Sequence, residues 1–560
     1  MMSAASRRMP LLNLLQRREP RMMRQNLTST AQRPPTPGGG FAVARLSVAL
    51  ACAALTGCMV GPDYVRPELA QSQGYSTTAL PAQTVATTSA TGAAQRFAIE
   101  SDIRSDWWTL FKSPALNTLI EQAFAASPTI EAAKRALKVA QENVYAQQGF
   151  FFPTVAANYT PSRTKLPGNL AANAPGVQGD GSVIAGYQGT PASEGGTAPF
   201  NGGTIFNFHT AQFTVGFVPD VFGANMRAVE SMQAQANAQH YQLQAAYVTL
   251  ATNIVAAAFQ DALLRKQIAI TQEMIDDNLA AVTLVQRQHK AGFASQLDLS
   301  IQQSALGQVR QLLRPLQKQF EQNRDLLKVL AGLTQDQEIV GFNLDELTLP
   351  EELPVTLPAR LVEQRPDVRV AEEQLRSANA QIGVARAARL PQFLINGSIG
   401  GTASNFNQMF WSSSGVFFDL MLGITQPIFD GGTLKHREYA ASEAMRQATA
   451  QYRSTVLIAF QNVADTLHAI EADARALQIA EDLTGSARSA YDLTKRQHAN
   501  GYLDRLALIN AQQTYRQALL NSAQAQASRL GNSAALFQAL GGGWWNRKEL
   551  VARSDADSQQ

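Results

Sequence analysis

Four short stretches of the chain alternate between apolar and polar or small residues. The alternation is clearest over 211–217 and 418–425, and weaker alternation follows Pro153 and Pro391. A period of two is typical of a β-strand whose two faces meet different surroundings. The pattern therefore predicts four strands, near 153–163, 206–218, 391–402 and 414–428.

The predicted strands have the length needed to cross an outer membrane. A strand of about 10–12 residues, at ~3.3 Å per residue and ~45° tilt, spans the ~25 Å apolar band. We therefore predict a transmembrane β-barrel, with two hairpins of a soluble sandwich as the alternative. Asp419 lies opposite the apolar face that contains Phe418 and Leu420. Because a charge that faces lipid is costly, Asp419 is predicted to face the barrel lumen.

Two long stretches between the strands have a helical composition. Residues 224–289 and 432–499 contain no Pro and are rich in Ala, Gln, Leu, Glu and Arg, most of which favour helix. At 1.5 Å per residue each forms a rod of roughly 100 Å. The apolar stripe is thin and rich in Ala, which favours close packing against neighbours on two sides. Gly292 and Gly501 are predicted to end the rods, so that shorter helices over about 294–332 and 503–540 turn back.

The chain repeats itself at two fixed offsets. Residues 128–153 recur at 366–391, with identities at Pro128, Ala133, Leu137, Ala140 and Pro153. A second segment recurs 209 positions later, with identities at Leu284, Arg287, Gln288, His289, Gly292, Leu297, Leu299 and Gln303. The first segment recurs at a larger offset than the second, because the first half contains an additional Gly-, Ala- and Pro-rich stretch over about 163–205. This stretch is predicted to be a flexible external loop. So long a period is not that of a solenoid, and we predict a tandem-duplicated domain.

The N-terminus has the features of a bacterial lipoprotein signal. Residues 1–57 hold eight basic residues and one acid, and the apolar run 46–55 leads into LTGC at 55–58. Such a run is too short to span a membrane as a mature helix. The LTGC pattern predicts that Cys58 is acylated and becomes the new N-terminus, the alternative being an ordinary signal followed by a chance Cys. Met59, rather than Asp, favours export to the outer membrane.

Removal of this leader changes the charge of the protein. The net charge of +3 loses eight basic residues and one acid and becomes −4, so the chain gives no reason to expect a nucleic-acid partner. The mature chain keeps only Cys58 and can form no internal disulfide. No other run of 18 apolar residues follows, so we expect no transmembrane helix.

Four strands are too few to close a barrel, and an open sheet edge in lipid leaves backbone groups unsatisfied. Chains must therefore combine their strands. Two chains give eight strands, whose interior is filled by side chains, whereas three give twelve, which leaves a lumen.

Several segments together resemble the TolC-type outer membrane factors, specifically the lipoprotein branch that serves resistance-nodulation-division efflux pumps. The likeness covers nearly the whole mature chain. The segments are GPDYVRP (61–67), DWWTLFKSPALNTLIEQA (106–123), EQRPDVRVAEEQLRSANAQIGVARAARLPQF (363–393), GITQPIFDGG (423–432) and ALGGGW (539–544).

The resemblance implies a homotrimer whose twelve strands form an outer membrane barrel, continued by a long periplasmic α-helical barrel. Its implied partners are a periplasmic adaptor protein and an inner membrane resistance-nodulation-division pump, and its role is passive conduction of small toxic compounds. No cofactor or catalytic residue is implied. The predicted organisation is a signal (1–57), a lipid-anchored linker (58–112), two repeats (113–345 and 346–543) and a tail (544–560).

The resemblance also assigns residues at the periplasmic end. The two tight turns match the family's grooves for the adaptor: Ala291, Gly292, Phe293 and Ala294, and Asn500, Gly501, Tyr502 and Leu503. Nine residues after the second turn glycine, where the family commonly has an Asp lining the closed aperture, this chain has Asn510, with Ile301 at the equivalent place in the first half. A ring of Asn argues against cation block there. The other aperture candidates are Leu506 and the charged Asp504, Arg505 and Asp298, which either form ion pairs across helices or are solvated tip charges.

His289 and His498 are repeat-related and lie beside the tip glycines. Because imidazole gains a proton near neutral pH, one hypothesis is that they tune adaptor docking with pH, and the alternative is that they are plain polar residues. The six His residues show no metal-ligand spacing, and the sequence contains no nucleotide-binding motif and no catalytic-nucleophile motif. We therefore expect no enzymatic activity. The competing functions are a lipid-anchored periplasmic coiled-coil scaffold or adaptor and a type I secretion duct.

Overall fold

A computed structural model of the protein describes residues 59–68, 74–75, 81–89, 91–166, 176–177, 183–184, 204–411 and 415–547. All of them belong to the unit Gly57–Gln560. The predicted signal and the acylation site Cys58 lie outside the described residues, as does most of the predicted external loop.

The main helices and strands follow the same order in both halves of the chain, which differ in the short elements between the two strands of each hairpin. The first half contains β1 (Arg96–Ile99), α1 (Pro114–Ala126), α2 (Pro128–Gln148), β2 (Thr154–Leu166), β3 (Gly176–Val177), β4 (Val183–Ile184), β5 (Thr204–Phe217), α3 (Ala224–Lys290) and α4 (Gln296–Leu330). The second half contains β6 (Glu352–Val355), α5 (Pro358–Gln364), α6 (Pro366–Ala387), β7 (Gln392–Ala403), α7 (Gln408–Trp411), β8 (Val416–Thr425), α8 (Thr433–Ala499) and α9 (Arg505–Ala539). Helices α3 and α8 have 67 residues each, and α4 and α9 have 35 each. The predicted internal duplication is therefore confirmed.

The four predicted strands form one antiparallel sheet in the order β2-β5-β7-β8. Strands β2 and β5 are longer than their side-chain pattern predicts, because backbone pairing continues to Leu166 and Thr204 without needing alternation. Within the described residues, the edge strands β2 and β8 each pair with one neighbour only. The sheet of a single chain therefore has two open edges.

The strand register separates an apolar face from a polar one. Ala157, Phe213, Ile399 and Phe418 form one row across all four strands. The next position along the strands gives a row on the opposite face that contains Thr214, Ser398 and Asp419. The face that bears Phe213, Phe418 and Leu420 is exposed in the single chain. An exposed apolar face on a sheet that is polar behind is the arrangement expected of a barrel wall in lipid.

The two long helices bury different amounts of their surface. Helix α8 buries one narrow stripe in its middle part, at intervals of three or four residues as far as Ala480 and again at Ala487: Tyr452, Val456, Ala459, Val463, Leu467, Ile470, Ala474, Leu477, Ala480 and Ala487. Helix α3 packs against α2, α4, α6 and α9 and buries several faces. One stretch of α3 is long and apolar enough to cross a bilayer, but most of it is buried within the protein, as expected for a core helix.

An apolar core joins residues near the two ends of the described chain. Trp107 is buried in a short 3-10 helix, Trp107–Phe111, and its ring stacks on Phe537 of α9 with centroids 5.2 Å apart. The indole Nε1 of Trp544 donates to the carbonyl of Gln364 at 2.7 Å. Residues predicted as linker and tail thus pack into the body of the protein. Their aromatic side chains account for the difference, because rings of this size are stable when buried.

Candidate functional site

The two tip turns have the same backbone geometry. Gly292 and Gly501 have φ of 81° and 79°, a left-handed conformation that glycine adopts without strain. The amide of Gly292 donates to the carbonyl of His289 at 3.0 Å, and that of Phe293 to Gln288 at 2.8 Å. The second turn repeats both bonds at 3.0 and 2.9 Å. Each long helix therefore ends in a Schellman-type cap, as the sequence predicted.

Each turn exposes an aromatic side chain immediately after its glycine. Phe293 is 85% exposed and Tyr502 is 80% exposed. No atom lies within 4 Å of the position that a Cβ would occupy on Gly292 or Gly501. Ala291, Ala294, Asn500 and Leu503 complete the turns, and all four are exposed or half-buried. The tips thus offer open backbone beside an unburied ring, a surface suited to a partner.

In each turn, one of the repeat-related histidines bonds to a backbone carbonyl of the same turn. The Nδ1 atom of His289 lies 3.0 Å from the carbonyl oxygen of Ala294, and Nδ1 of His498 lies 3.0 Å from that of Leu503. A carbonyl only accepts, so Nδ1 must carry the proton. Both neutral and charged imidazole can donate in this way, so these bonds do not depend on a change of charge. The suggested pH tuning stays a prediction.

The carboxylates near the tips cap the returning helices. The Ser295 hydroxyl accepts from the amide of Asp298 at 3.1 Å, while the Asp298 carboxylate accepts from the Ser295 amide at 2.9 Å. The Ser295 hydroxyl also donates to the Asp298 carboxylate at 2.7 Å, and this bond, together with the one from the Ser295 amide, lowers the pKa of Asp298. Asp504 caps α9 by accepting from the amide of Ala507 at 2.9 Å. Among the described residues Arg505 forms no ion pair with either carboxylate, so within one chain the ion-pair alternative is not found.

The aperture candidates lie one turn or more above the tips. Asn510 is exposed on α9, next to the buried Ile509, and Leu506 is half-buried. Ile301, the repeat equivalent of Asn510, is exposed on α4. Exposure in the single chain is what an aperture residue needs, and their role in an aperture stays a prediction.

A polar cluster that the sequence did not reveal links the two halves farther from the tips. Arg516 of α9 forms ion pairs with Glu273 and Asp277 of α3, the latter at 3.6 Å. The side-chain amide Nε2 of Gln512 donates to the carboxylate of Asp277 at 2.5 Å. Burial raises the pKa of Asp277, and Arg516 offsets only part of that effect. Arg516 thus connects the last helix of the second half to the long helix of the first.

The segment Met59–Pro67 is fixed on the helices by buried charges. Arg66 donates two hydrogen bonds of 2.9 Å to Glu372, whose side chain is fully buried. Arg369 and Arg376 also pair with Glu372, at 2.8 and 3.3 Å. Burial alone raises the pKa of Glu372, but the hydrogen bonds from Arg66 and the charges of the three arginines outweigh it, so the pKa is lowered.

A second contact holds the start of the same segment near the sheet. The buried Arg227 at the beginning of α3 pairs with Asp63 at 2.8 Å. The amide of Val60 donates to the carbonyl of Phe222 at 3.2 Å, five residues after β5 ends. The first described residues therefore lie beside the end of a sheet strand.

Asp419 lies on the polar face of the sheet, where its carboxylate accepts a hydrogen bond from Ser398 of β7. Asp419 thus lies opposite the apolar face, and its place in a barrel lumen stays a prediction. Within the part of the chain that the structure describes, no three His, Cys, Asp or Glu side chains are placed to hold a metal ion. The arrangement offers docking surfaces and a polar wall.

Comparison with known proteins gives a consistent result. The model of the outer membrane efflux protein family matches residues 119–333 and 357–542, well over half of the chain. The pyoverdine export outer membrane protein OpmQ of Pseudomonas putida is 28% identical over 439 residues, 78% of this chain and 88% of its own. The toluene efflux pump outer membrane protein TtgC of Pseudomonas putida is 26% identical over 508 residues, 90% of this chain and 96% of its own.

A solved structure shows the same fold. The CmeC outer membrane channel of Campylobacter jejuni superimposes with a TM-score of 0.73 at 18% identity, covering 90% of this chain and 98% of that one. The predicted fold class, a strand-bearing and mainly helical outer membrane channel, is confirmed.

Proposed function

The chain belongs to the outer membrane efflux protein family, and on that premise we propose that three copies form the outer membrane duct of a tripartite efflux pump. As a member of this family it is an outer membrane efflux component that extends into the periplasm. The duct conducts passively, and its energy comes from a partner in the inner membrane.

The observation that carries the proposal is the two-faced sheet with two open edges. Strands β2 and β8 leave their outer backbone groups without a partner within the described chain, which is not sustainable in lipid. Pairing of β8 with β2 of the next copy removes both edges, and three copies give twelve strands with room for a lumen. The polar face with Asp419 then lines the lumen. A periplasmic scaffold, the competing function, gives this sheet no purpose.

The tips are the proposed docking sites for a periplasmic adaptor. They lie at the far ends of helices whose 67 residues span roughly 100 Å, so they reach deep into the periplasm. Their exposed rings and open glycine backbone suit insertion of a partner hairpin. The proposed inner membrane partner is a pump of the resistance-nodulation-division class.

The proposed lipid anchor is Cys58, the residue before the first described segment. Val60 bonds to Phe222 just beyond β5, so an acyl group on Cys58 would start near the end of a sheet strand. The proposal is supported by this position together with the LTGC pattern.

The cargo is proposed to be small organic compounds. The relatives are named for pyoverdine export and for toluene efflux, so proteins of one architecture serve chemically different cargo. We therefore assign the selection of cargo to the inner membrane pump. The alternative function, a type I secretion duct, is not favoured.

The native mass of detergent-extracted protein tests the assembly and the anchor together. We expect a trimer whose N-terminal fragment begins at an acylated Cys58. A Cys58→Ala variant serves as the control, and it should remain trimeric if redirected by a cleavable signal. A monomeric wild-type protein would contradict the channel, whereas a trimer without the acyl group would contradict the anchor alone.

Removal of the charge on Arg516 is expected to ease opening of the periplasmic end. Arg516→Gln loses its pairing with Glu273 and Asp277 and leaves these carboxylates to repel each other. We expect a higher single-channel conductance in planar bilayers, with the overall fold retained. Arg488→Gln, which removes an exposed ion pair within α8, is the matched control and should conduct like wild type. Equal conductance of all three proteins would argue against a closing role for Arg516.

A further inference from the structure

We propose that His289 and His498 are positioning residues that lock the two tip turns in the shape that presents Phe293 and Tyr502 to the adaptor. This inference rests on the proposed function of the tips. It assigns the two histidines a role that depends on a hydrogen bond from Nδ1 and not on their charge.

The two turns provide independent copies of the same arrangement. In each, the imidazole precedes the glycine by three residues, and Nδ1 reaches a carbonyl five residues ahead at 3.0 Å. Both rings are half-buried. The turns differ around a shared Gly, since one reads Ala-Gly-Phe-Ala and the other Asn-Gly-Tyr-Leu, whereas the preceding Arg-Gln-His is identical. The histidine and its bond to a turn carbonyl are therefore kept where the side chains of the turn change.

The bond restrains the part of the turn that the helix ends do not reach. On one side, the amides of Gly292 and Phe293 bond back to the end of α3. On the other side, Ser295 caps α4. The Ala294 carbonyl lies between these two caps, and His289 holds it. The second turn has the same order, with Leu503 between Tyr502 and the cap Asp504.

The exposed rings depend on this backbone for their orientation. Phe293 and Tyr502 are largely free of packing contacts, so the direction of each ring follows from the turn that carries it. A turn held in one shape lowers the ordering cost of binding. Loss of the lock is therefore expected to weaken docking without unfolding the protein.

The experiment uses the full-length trimer in detergent and compares three replacements at both histidines. His→Asn keeps an amide donor close to the position of Nδ1, His→Gln places its donor near Nε2 instead, and His→Ala has neither. Affinity for the purified adaptor of the same pump is measured by surface plasmon resonance. Loss of both hydrogen bonds is expected to weaken binding of the adaptor roughly fivefold or more. We expect that loss for the Ala and Gln pairs, and near wild-type binding for the Asn pair.

Two readouts on the protein alone test the lock without the adaptor. The ¹⁵N spectrum of the wild-type imidazoles above neutral pH should show a proton on Nδ1 of His289 and His498. Amide hydrogen exchange at 293–295 and 502–504 should quicken in the Ala and Gln pairs and not in the Asn pair, while the melting temperature stays unchanged.

The outcomes separate the lock from the docking role. If the protons are on Nε2, or if exchange is the same in all variants, the lock is overturned. If exchange quickens but the affinity of every variant equals that of wild type, the positioning role is overturned. If wild type itself fails to bind the adaptor, the proposed function of the tips fails, and the spectra and exchange still decide whether the lock exists.

Discussion

Glu372→Ala is expected to lower the free energy of unfolding by about 3 kcal/mol, because it leaves three arginines without their shared buried partner. The value lies at the low end of the range for such changes, since Arg66 and Arg376 are each 38% exposed and can turn to water. Release of Arg66 also frees the segment Met59–Pro67 from α6. The measurement is thermal unfolding of the purified protein, followed by circular dichroism.

An exposed ion pair provides the control for this change. Glu443 pairs with Arg446 on α8, and both side chains are mostly exposed. Glu443→Ala should change stability by less than about 1 kcal/mol. Equal effects of the two substitutions would show that the buried network adds no stability beyond that of a surface pair.

The network also predicts a dependence on pH. The pKa of Glu372 is lowered in the folded protein, so its contribution is present above the ordinary glutamate pKa and is lost as pH falls through the lowered value. Glu372→Gln should therefore reduce the loss of stability in acid. The neighbouring Glu373 has a raised pKa, because burial outweighs the opposing effects of Arg376 and Asn237, and Glu373→Gln should act in the opposite direction. Unfolding midpoints from pH 3 to 7 would test both signs.

Leu420→Arg is expected to destabilise the assembled barrel by about 2–4 kcal/mol per subunit, the cost of a cation on the lipid side near the middle of a bilayer. Leu420 lies near the centre of β8, in a row with Val155 and Val215 on the exposed apolar face. Assembly into detergent-resistant trimers, and their unfolding in urea, provide the measurement.

Met421→Arg is the matched control, because it is the next residue of the same strand and faces the other way. It lies in a row with Asn396 and Gly216 on the polar face. An arginine there enters the proposed lumen and should leave assembly near wild type while altering conductance. Destabilisation by Met421→Arg with tolerance of Leu420→Arg would reverse the assignment of the two faces.

Alternation and repetition made much of this fold predictable. The strands were visible because apolar and polar side chains alternate, clearly in β5 and β8 and more weakly in β2 and β7. The helix ends were visible because Gly292 and Gly501 recur at a fixed offset. The pair β1 and β6 was not predicted. Each strand has four residues, and they pair in parallel across more than 250 positions of sequence, a relation that local pattern does not contain.

The charged networks were missed for a related reason. Glu372 and Arg516 lie on helices rich in polar residues, where a charge is usually solvated, and only the packing of distant segments shows that each is enclosed. His289 and His498 were recognised as a pair from their offset, but their acceptors depend on the shape of the turn. The sequence therefore locates such residues more readily than it identifies their partners.

The equal lengths of the corresponding long helices in the two halves have a consequence for symmetry. A trimer of duplicated chains presents six tips at one level, and its backbone approximates a sixfold axis. Its side chains obey only a threefold one, because tips with Phe293 alternate with tips with Tyr502. A ring of six identical partner arms would therefore meet two chemistries in alternation, and rotation by one sixth of a turn would exchange them. Because the two halves are duplicated but not identical, the difference between their tips fixes the rotational orientation in which a partner ring can join.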